Sequence, residues 1–182
     1  MTEFEALLRL HMTRGIGTRT YQALIARVGS SEATLDAPRA ELEAVPGIGP
    51  KLATAIIETS RTIDITTEIN LAKEKNVQII PHTSNQYPKH LKAIYDPPLV
   101  LYVKGNILET DVIALAIVGA RRCTYYGLSQ AERFSRLLAQ KGLCIVSGMA
   151  RGIDAAAHRG AINSNGRTIA VLGCGLGVIY PR

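Results

Sequence analysis

The segment 112–172 constrains the fold more than any other part of the chain, because it reads as apolar strands separated by helices. Its apolar runs do not alternate with polar residues, which is typical of parallel strands with helices over both faces. The segments between the runs are long enough for crossover helices. The sequence therefore predicts an α/β domain on a parallel sheet. Strands are predicted at 112–118, 143–146 and 168–172, and helices at 124–140 and 153–163.

Each predicted strand ends in a loop with glycine, and the first two loops also carry arginine. Parallel strands end on one edge of the sheet, where open α/β folds bind ligands. Glycine lets backbone amides approach a ligand closely, and helix N-termini favour anions. The sequence therefore predicts a site for a phosphate-bearing ligand. Its candidate residues are Gly119, Arg121, Arg122, Ser147, Gly148, Arg151 and Gly173.

The loops hold no nucleophile beside a base, so no catalytic residue is predicted. Gly173, Gly175 and Gly177 have dinucleotide-loop spacing, but Pro181 breaks the helix that such a loop needs and no acidic residue follows. No phosphate-binding loop of the nucleotidase type is present either. His158 has no cysteine or histidine at metal-ligand spacing, so it is interpreted as a packed histidine. No metal and no cofactor are predicted.

Three further side chains near the loops have two possible roles. Asp154 is interpreted as a charge at a helix N-terminus rather than a catalytic acid, since the helix dipole favours it there. Tyr125 and Tyr126 could stack on nucleic-acid bases. Packing in the core is the role that we favour for both tyrosines.

Charge is unevenly distributed along the 182 residues, whose net charge is +6. Residues 1–66 have 7 basic and 8 acidic side chains, whereas residues 67–182 have 14 and 7. A polyanion would be attracted mainly by the second part, although such an excess is also compatible with an ordinary solvated surface. No apolar run reaches the roughly 20 residues of a membrane span. With no signal peptide and no cysteine pairs at motif spacing, a cytoplasmic protein with reduced thiols is expected.

The N-terminal part contains two Gly-Ile-Gly turns, each between two predicted helices. It resembles a tandem helix-hairpin-helix unit, in which the isoleucine packs inward and free amides at the next helix can meet a phosphate. Gly47, Gly49 and Lys51 of the second turn are candidate DNA backbone contacts, with a pure packing role equally open. Thr18 is expected as the N-cap of the helix after the first turn.

The chain is expected to form a helical domain at 1–66, a connecting helix at 67–76 and an α/β domain at 77–182. Short strands are expected at 77–80 and within 97–105, because proline and glycine bound both apolar runs. We place both of them in the sheet of the α/β domain.

The motifs of residues 80–182 resemble one family, the DprA (Smf) family of bacterial DNA-processing proteins. The resemblance covers the second half of the chain in an unbroken series. Its motifs are Asp96-Pro-Pro98, Leu101-Tyr-Val-Lys-Gly105, Ala116-Ile-Val-Gly-Ala-Arg121, Ser147-Gly-Met-Ala-Arg-Gly-Ile-Asp154, Thr168-Ile-Ala-Val-Leu-Gly-Cys-Gly175 and Ile179-Tyr-Pro181.

The resemblance implies a Rossmann-like domain that binds single-stranded DNA without catalysis. Family members protect incoming strands in natural transformation, load RecA recombinase onto them, and form homodimers through this domain. Arg121 stands where the family has its DNA-contacting arginine, and Ser147 with Gly148 matches the serine-glycine loop of the same pocket. The family domain continues beyond residue 182, so we expect the parallel sheet here to be incomplete at its C-terminus.

Two positions depart from the family pattern: Ala120 stands where serine is usual, and Gly177 where aspartate is common. The main hypothesis is a sequence-nonspecific single-stranded DNA binding protein. The alternatives are a nucleotide- or nucleoside-monophosphate-processing enzyme of related fold, and a dimerisation fragment that binds no DNA.

Overall fold

The computed structural model describes residues 1–178, apart from the side chains of Ser60 and Arg61. The chain divides into two compact units, Met1–Gly105 and Asn106–Arg182. The first unit comprises α1 (Glu3–Met12), α2 (Thr18–Val28), α3 (Ser31–Asp36), α4 (Arg39–Glu43), α5 (Pro50–Thr62), α6 (Ile65–Glu74), β1 (Val77–Pro81), α7 (Lys89–Lys92) and β2 (Val100–Lys104). The second comprises a 3₁₀ turn (Glu109–Val112), β3 (Ala114–Ala116), α8 (Tyr125–Gln140), β4 (Cys144–Ser147), α9 (Ile153–Asn163) and β5 (Thr168–Ala170).

Two helical hairpins, α1–α2 and α4–α5, form the N-terminal part of the first unit. The isoleucine of each turn, Ile16 or Ile48, is buried as predicted. The N-caps are Gly17 and Gly49, neither of which has a capping side chain. The expectation that Thr18 caps α2 is therefore wrong. Thr18 is the first residue inside the helix, and its buried hydroxyl donates to the carbonyl of Pro97 at 2.5 Å.

Strands β1 and β2 pair with each other as an antiparallel ladder that runs from Val77 opposite Lys104 to Pro81 opposite Val100. They form a two-stranded sheet of their own, so their predicted place in the sheet of the α/β domain is wrong. Leu99 and Val100 belong to the same buried apolar cluster as α1, α2 and α5. Burial against these helices, rather than strand pairing with β3–β5, accounts for where the two strands lie.

The second unit contains a parallel sheet, as predicted, and its strand order is β3-β4-β5. Helices α8 and α9 pack against each other, and both contact β4. Both helices therefore cover the same face, and the prediction of helices on both faces is wrong for the described residues. Right-handed crossovers that advance in one direction place successive helices on one side of a sheet. All three residues of β3, which is an edge strand of the described sheet, are exposed.

Small side chains allow α8 and α9 to approach closely. Ala131, Ser135 and Ala139 are buried on α8, and Gly160 and Ala161 are buried on α9. A Cβ atom on Gly160 would lie 2.3 Å from the carbonyl oxygen of Glu132, so only glycine permits this separation. The closely packed pair of helices supports the loops at the end of the sheet.

An ion pair attaches the segment before β3 to the start of β5. The Arg167 guanidinium donates to both carboxylate oxygens of Asp111, at 2.6 and 2.7 Å. This guanidinium, ahead of the opposing effect of burial, holds the pKa of Asp111 below its usual range. Val112 lies in the 3₁₀ turn, so the first strand is shorter than predicted, at 114–116 instead of 112–118.

Candidate functional site

The loops after β3, β4 and β5 lie side by side at the C-terminal edge of the parallel sheet. The register pairs Ala116 with Val146 and Val146 with Ile169, so the three strands end within one residue of the same level. Past the ladders, the Val171 amide donates to the carbonyl of Ser147 at 2.8 Å. The sequence-based prediction that the three loops gather at one edge is confirmed by this pairing.

A buried carboxylate connects the first two loops. Asp154, in the first turn of α9 and 6% exposed, accepts from the backbone amides of Gly119 at 3.2 Å and Ala150 at 3.4 Å. Asp154 thus lies where the helix dipole favours a negative charge, as predicted. Because the Gly119 amide is already engaged, Asp154 positions the Arg121 loop, and the amide is not free to hold an anion.

Ser147 also has an internal partner. Its side chain is buried, and its hydroxyl donates to the carbonyl of Ile117 at 2.7 Å. The hydroxyl therefore connects the ends of β3 and β4, while Gly148 follows it at the start of the second loop. A direct role of Ser147 and Gly148 in ligand binding stays a prediction.

A cavity of about 770 Å³ opens beside these loops, at the N-terminus of α8. Arg121, Arg122 and Arg159 contribute their side chains to its wall, and no lining residue is acidic. The N-cap residue Thr124 also lines the cavity, so the positive end of the α8 dipole adds to the guanidinium charges. Such a cavity can attract and hold phosphate groups through charge-assisted hydrogen bonds. The remaining lining residues are Cys123, Leu128 and Gly152.

Arg121 and Arg122 are exposed. Within residues 1–178, no carboxylate forms an ion pair with either of them. Their guanidinium groups are thus available to an anion. Of the other predicted residues, Arg151 and Gly173 are exposed on the second and third loops but do not line the cavity. Their contact with a ligand stays a prediction.

Arg159 is the lining residue that sequence reasoning missed. It lies inside α9, two helical turns beyond Gly152, and therefore on the same side of the helix as that cavity residue. Its Nε atom is 3.8 Å from a Glu132 carboxylate oxygen, and both side chains are substantially exposed, so this pair is weak. The sequence signal for Arg159 is its helical spacing from Gly152, but Arg159 lies in a helix and the prediction considered only loop residues.

His158 packs against β5, as expected of a structural histidine. The Thr168 hydroxyl donates to the carbonyl of Ile145 at 2.7 Å, so its oxygen must accept from Nδ1 of His158, also at 2.7 Å. Burial, ahead of the opposing effect of Asp154, lowers the pKa of His158. Protonation of the second ring nitrogen is therefore disfavoured, and the neutral ring carries its proton on Nδ1.

The second helical hairpin presents its turn to solvent. Gly47, Gly49 and Lys51 are exposed, and nothing lies within 4 Å of a Cβ built on either glycine. Arg39 lies beside them, because its Nη2 atom donates to the carbonyl of Pro50 at 3.2 Å. Contact of this turn with DNA stays a prediction.

Tyr125 and Tyr126 are 86% and 73% exposed, so the core packing that we favoured from the sequence is wrong. Across residues 1–178, no three histidine, cysteine or acidic side chains are grouped so that they could hold a metal ion. None of the described helices has the length and apolar character needed to cross a bilayer. The motif Ile179-Tyr-Pro181 and the helix break assigned to Pro181 lie outside the described residues.

Comparisons with known proteins match both parts of the chain. Residues 78–182 match the model of the DNA recombination-mediator protein A family, and residues 4–62 match the SAM-like helix-hairpin-helix tandem. The DNA processing protein DprA of Bacillus subtilis is 43% identical over 111 residues, which are 60% of this chain and 37% of that protein. Protein Smf of Escherichia coli is 43% identical over 110 residues, 60% of this chain and 29% of that protein.

The chain is also similar to a solved structure. The X-ray structure of DNA processing protein A from Streptococcus pneumoniae matches all of this chain and 61% of its own, with a TM-score of 0.74 and 29% identity. The matches to the Bacillus subtilis and Escherichia coli proteins span only about a third of those relatives' length. Since the family model matches more than half of this chain, the protein belongs to the DNA recombination-mediator protein A (DprA/Smf) family.

Proposed function

We propose that this chain binds single-stranded DNA without sequence preference, through phosphates held at the C-terminal edge of the parallel sheet. The cavity lined by Arg121, Arg122 and Arg159, with no acidic side chain, is the observation that carries the proposal. Guanidinium groups match phosphate geometry, and phosphate contacts carry no sequence information. Family membership and the names of the relatives, which are DNA processing proteins, support the same polyanion as ligand.

The second part of the proposal concerns the fate of the bound strand. We infer that the chain acts in natural transformation, protects the incoming strand and hands it to RecA recombinase, as a homodimer through the α/β unit. No catalytic step is part of this function, and incubation with nucleoside monophosphates should release no free base. Release of free base would favour the alternative of a nucleotide-processing enzyme.

A fluorescence titration with labelled oligothymidine tests the binding step. Arg121→Ala and Arg159→Ala should each weaken binding about tenfold, because a hydrogen bond to a charged group contributes roughly 1.5 kcal/mol or more. Each lost phosphate contact should also reduce the slope of log K against log salt by about 0.7. Arg136→Ala is the matched control, since Arg136 is an exposed arginine of α8 that does not line the cavity.

Two results would contradict the proposal. If Arg121→Ala and Arg159→Ala bind with the affinity and salt slope of the unaltered chain, the cavity is not the phosphate site. If unlabelled duplex DNA displaces the oligothymidine as effectively as single strands do, the assignment to single-stranded DNA is wrong.

A further inference from the structure

Two tyrosines at the start of α8 lie in water although they carry large apolar rings. Tyr125 and Tyr126 are the first two residues of the helix, and they are 86% and 73% exposed. Among the described residues, neither ring contacts another aromatic ring or a cation. By contrast Tyr95, which is 84% exposed, has the Arg19 guanidinium 4.3 Å from its ring centroid. The faces of the tyrosine pair are therefore open to a ligand.

The backbone that carries these tyrosines is held in place. Thr124 caps α8, and its hydroxyl accepts from the amide of Gly127 at 3.1 Å. The preceding residues, Cys123 and Thr124, both line the arginine cavity. The rings therefore begin one residue beyond the cavity wall, on the first turn of a regular helix, and they adjoin the place where phosphates are proposed to lie.

We propose that Tyr125 and Tyr126 form a stacking platform for the bases of the strand whose phosphates occupy the arginine cavity. The inference rests on the proposed function and adds to it that the protein recognises the bases of the strand as well as its phosphates. An aromatic face accepts any base, so stacking adds affinity without sequence preference. The platform also selects single strands, because bases in a duplex are already stacked and paired.

The test distinguishes contacts to the bases from contacts to the phosphates. Binding of fluorescent oligothymidine is compared with binding of an abasic oligomer of the same length, which keeps the phosphates but has nothing to stack. The unaltered chain should bind oligothymidine more tightly. Tyr125→Ala and Tyr126→Ala should each weaken that binding roughly fivefold or more and leave the affinity for the abasic oligomer unchanged.

Matched variants complete the design. Tyr125→Phe and Tyr126→Phe keep a stacking ring and should bind oligothymidine like the unaltered chain. Tyr95→Ala removes an equally exposed ring outside the α/β unit and should have no effect. All these side chains are exposed, so their unfolding midpoints should be unchanged, which excludes misfolding as a cause of weak binding.

Two outcomes would overturn the inference: unchanged oligothymidine binding by both alanine variants, or an equal loss for the abasic oligomer. If either occurs while Arg121→Ala still weakens both oligomers, the phosphate site stands and the stacking platform fails. If Arg121→Ala weakens neither oligomer, the proposed function itself fails.

Discussion

Gly152 is the position where packing at the cavity can be tested most directly. Its φ is 84°, and a Cβ atom there would lie 2.4 Å from the carbonyl oxygen of Ala120 and 2.7 Å from that of Arg121. Real Cβ contacts are essentially never below 3.0 Å, so in Gly152→Ala the Arg121 loop must move by at least 0.6 Å. The displaced loop carries the guanidinium that lines the cavity.

The expected cost follows from two terms. An alanine in a backbone conformation reserved for glycine costs about 1–3 kcal/mol, and the overlap with two carbonyl oxygens adds about 1–3 kcal/mol. We therefore expect Gly152→Ala to lose about 2–6 kcal/mol of unfolding free energy. Urea unfolding followed by circular dichroism measures the loss, and oligothymidine titration under native conditions should show weaker binding.

Gly142→Ala is the matched control. Gly142 has a similar φ of 86°, but nothing lies within 4 Å of its built Cβ, so only the backbone term applies. That variant should lose only the backbone term of about 1–3 kcal/mol and keep its affinity for oligothymidine. If both variants lose the same unfolding free energy, the packing of Gly152 against the Arg121 loop is not what the structure indicates.

Two further substitutions test titratable groups in the α/β unit. Asp111→Asn removes the charge that Arg167 holds and should cost about 1–3 kcal/mol of unfolding free energy at pH 7. Because the folded pKa of Asp111 is lowered, this stabilisation is present above the unfolded value near 3.9 and lost as pH falls through the folded value. An unchanged acid limb of the urea-unfolding profile would contradict this. His158→Asn keeps a donor to Thr168 and should reduce the loss of stability below about pH 6.5, since the folded His158 resists protonation. Equal slopes for the unaltered chain and His158→Asn would refute the reasoning.

Helix boundaries were the most predictable feature, because local residues determine them. Helix α9 begins and ends as predicted, at 153–163, between Gly152 and a Ser-Asn-Gly segment. Helix α2 ends at Val28, before Gly29, whose positive φ of 104° favours glycine and stops the helix. The three parallel strands were predicted from apolar runs, and their existence and parallel pairing are confirmed.

Long-range choices were not predictable in the same way. The apolar runs around β1 and β2 predict strands, but they do not indicate which strand each of them pairs with. In the structure, β1 and β2 pair with each other. Arg121 and Arg122 were predictable because open α/β folds bind ligands at the loops that follow their strands, whereas Arg159 lies within a helix. The hydrogen bond of the Ser147 hydroxyl to the Ile117 carbonyl was not predictable, because a serine in a loop can either bind a ligand or connect two strands.

The two helical hairpins are unequal copies of one motif. The helix that follows the first turn is secured by the Thr18 hydroxyl, which donates to the carbonyl of Pro97, whereas nothing lies within 4 Å of a Cβ built on Gly47 or Gly49 of the second turn. The two copies within residues 4–62 therefore differ in role: the first is fixed to the rest of its unit, whereas the second leaves Gly47, Gly49 and Lys51 exposed to a partner. Substitutions in the first copy should destabilise the fold, whereas substitutions in the second should change how tightly the protein binds a partner.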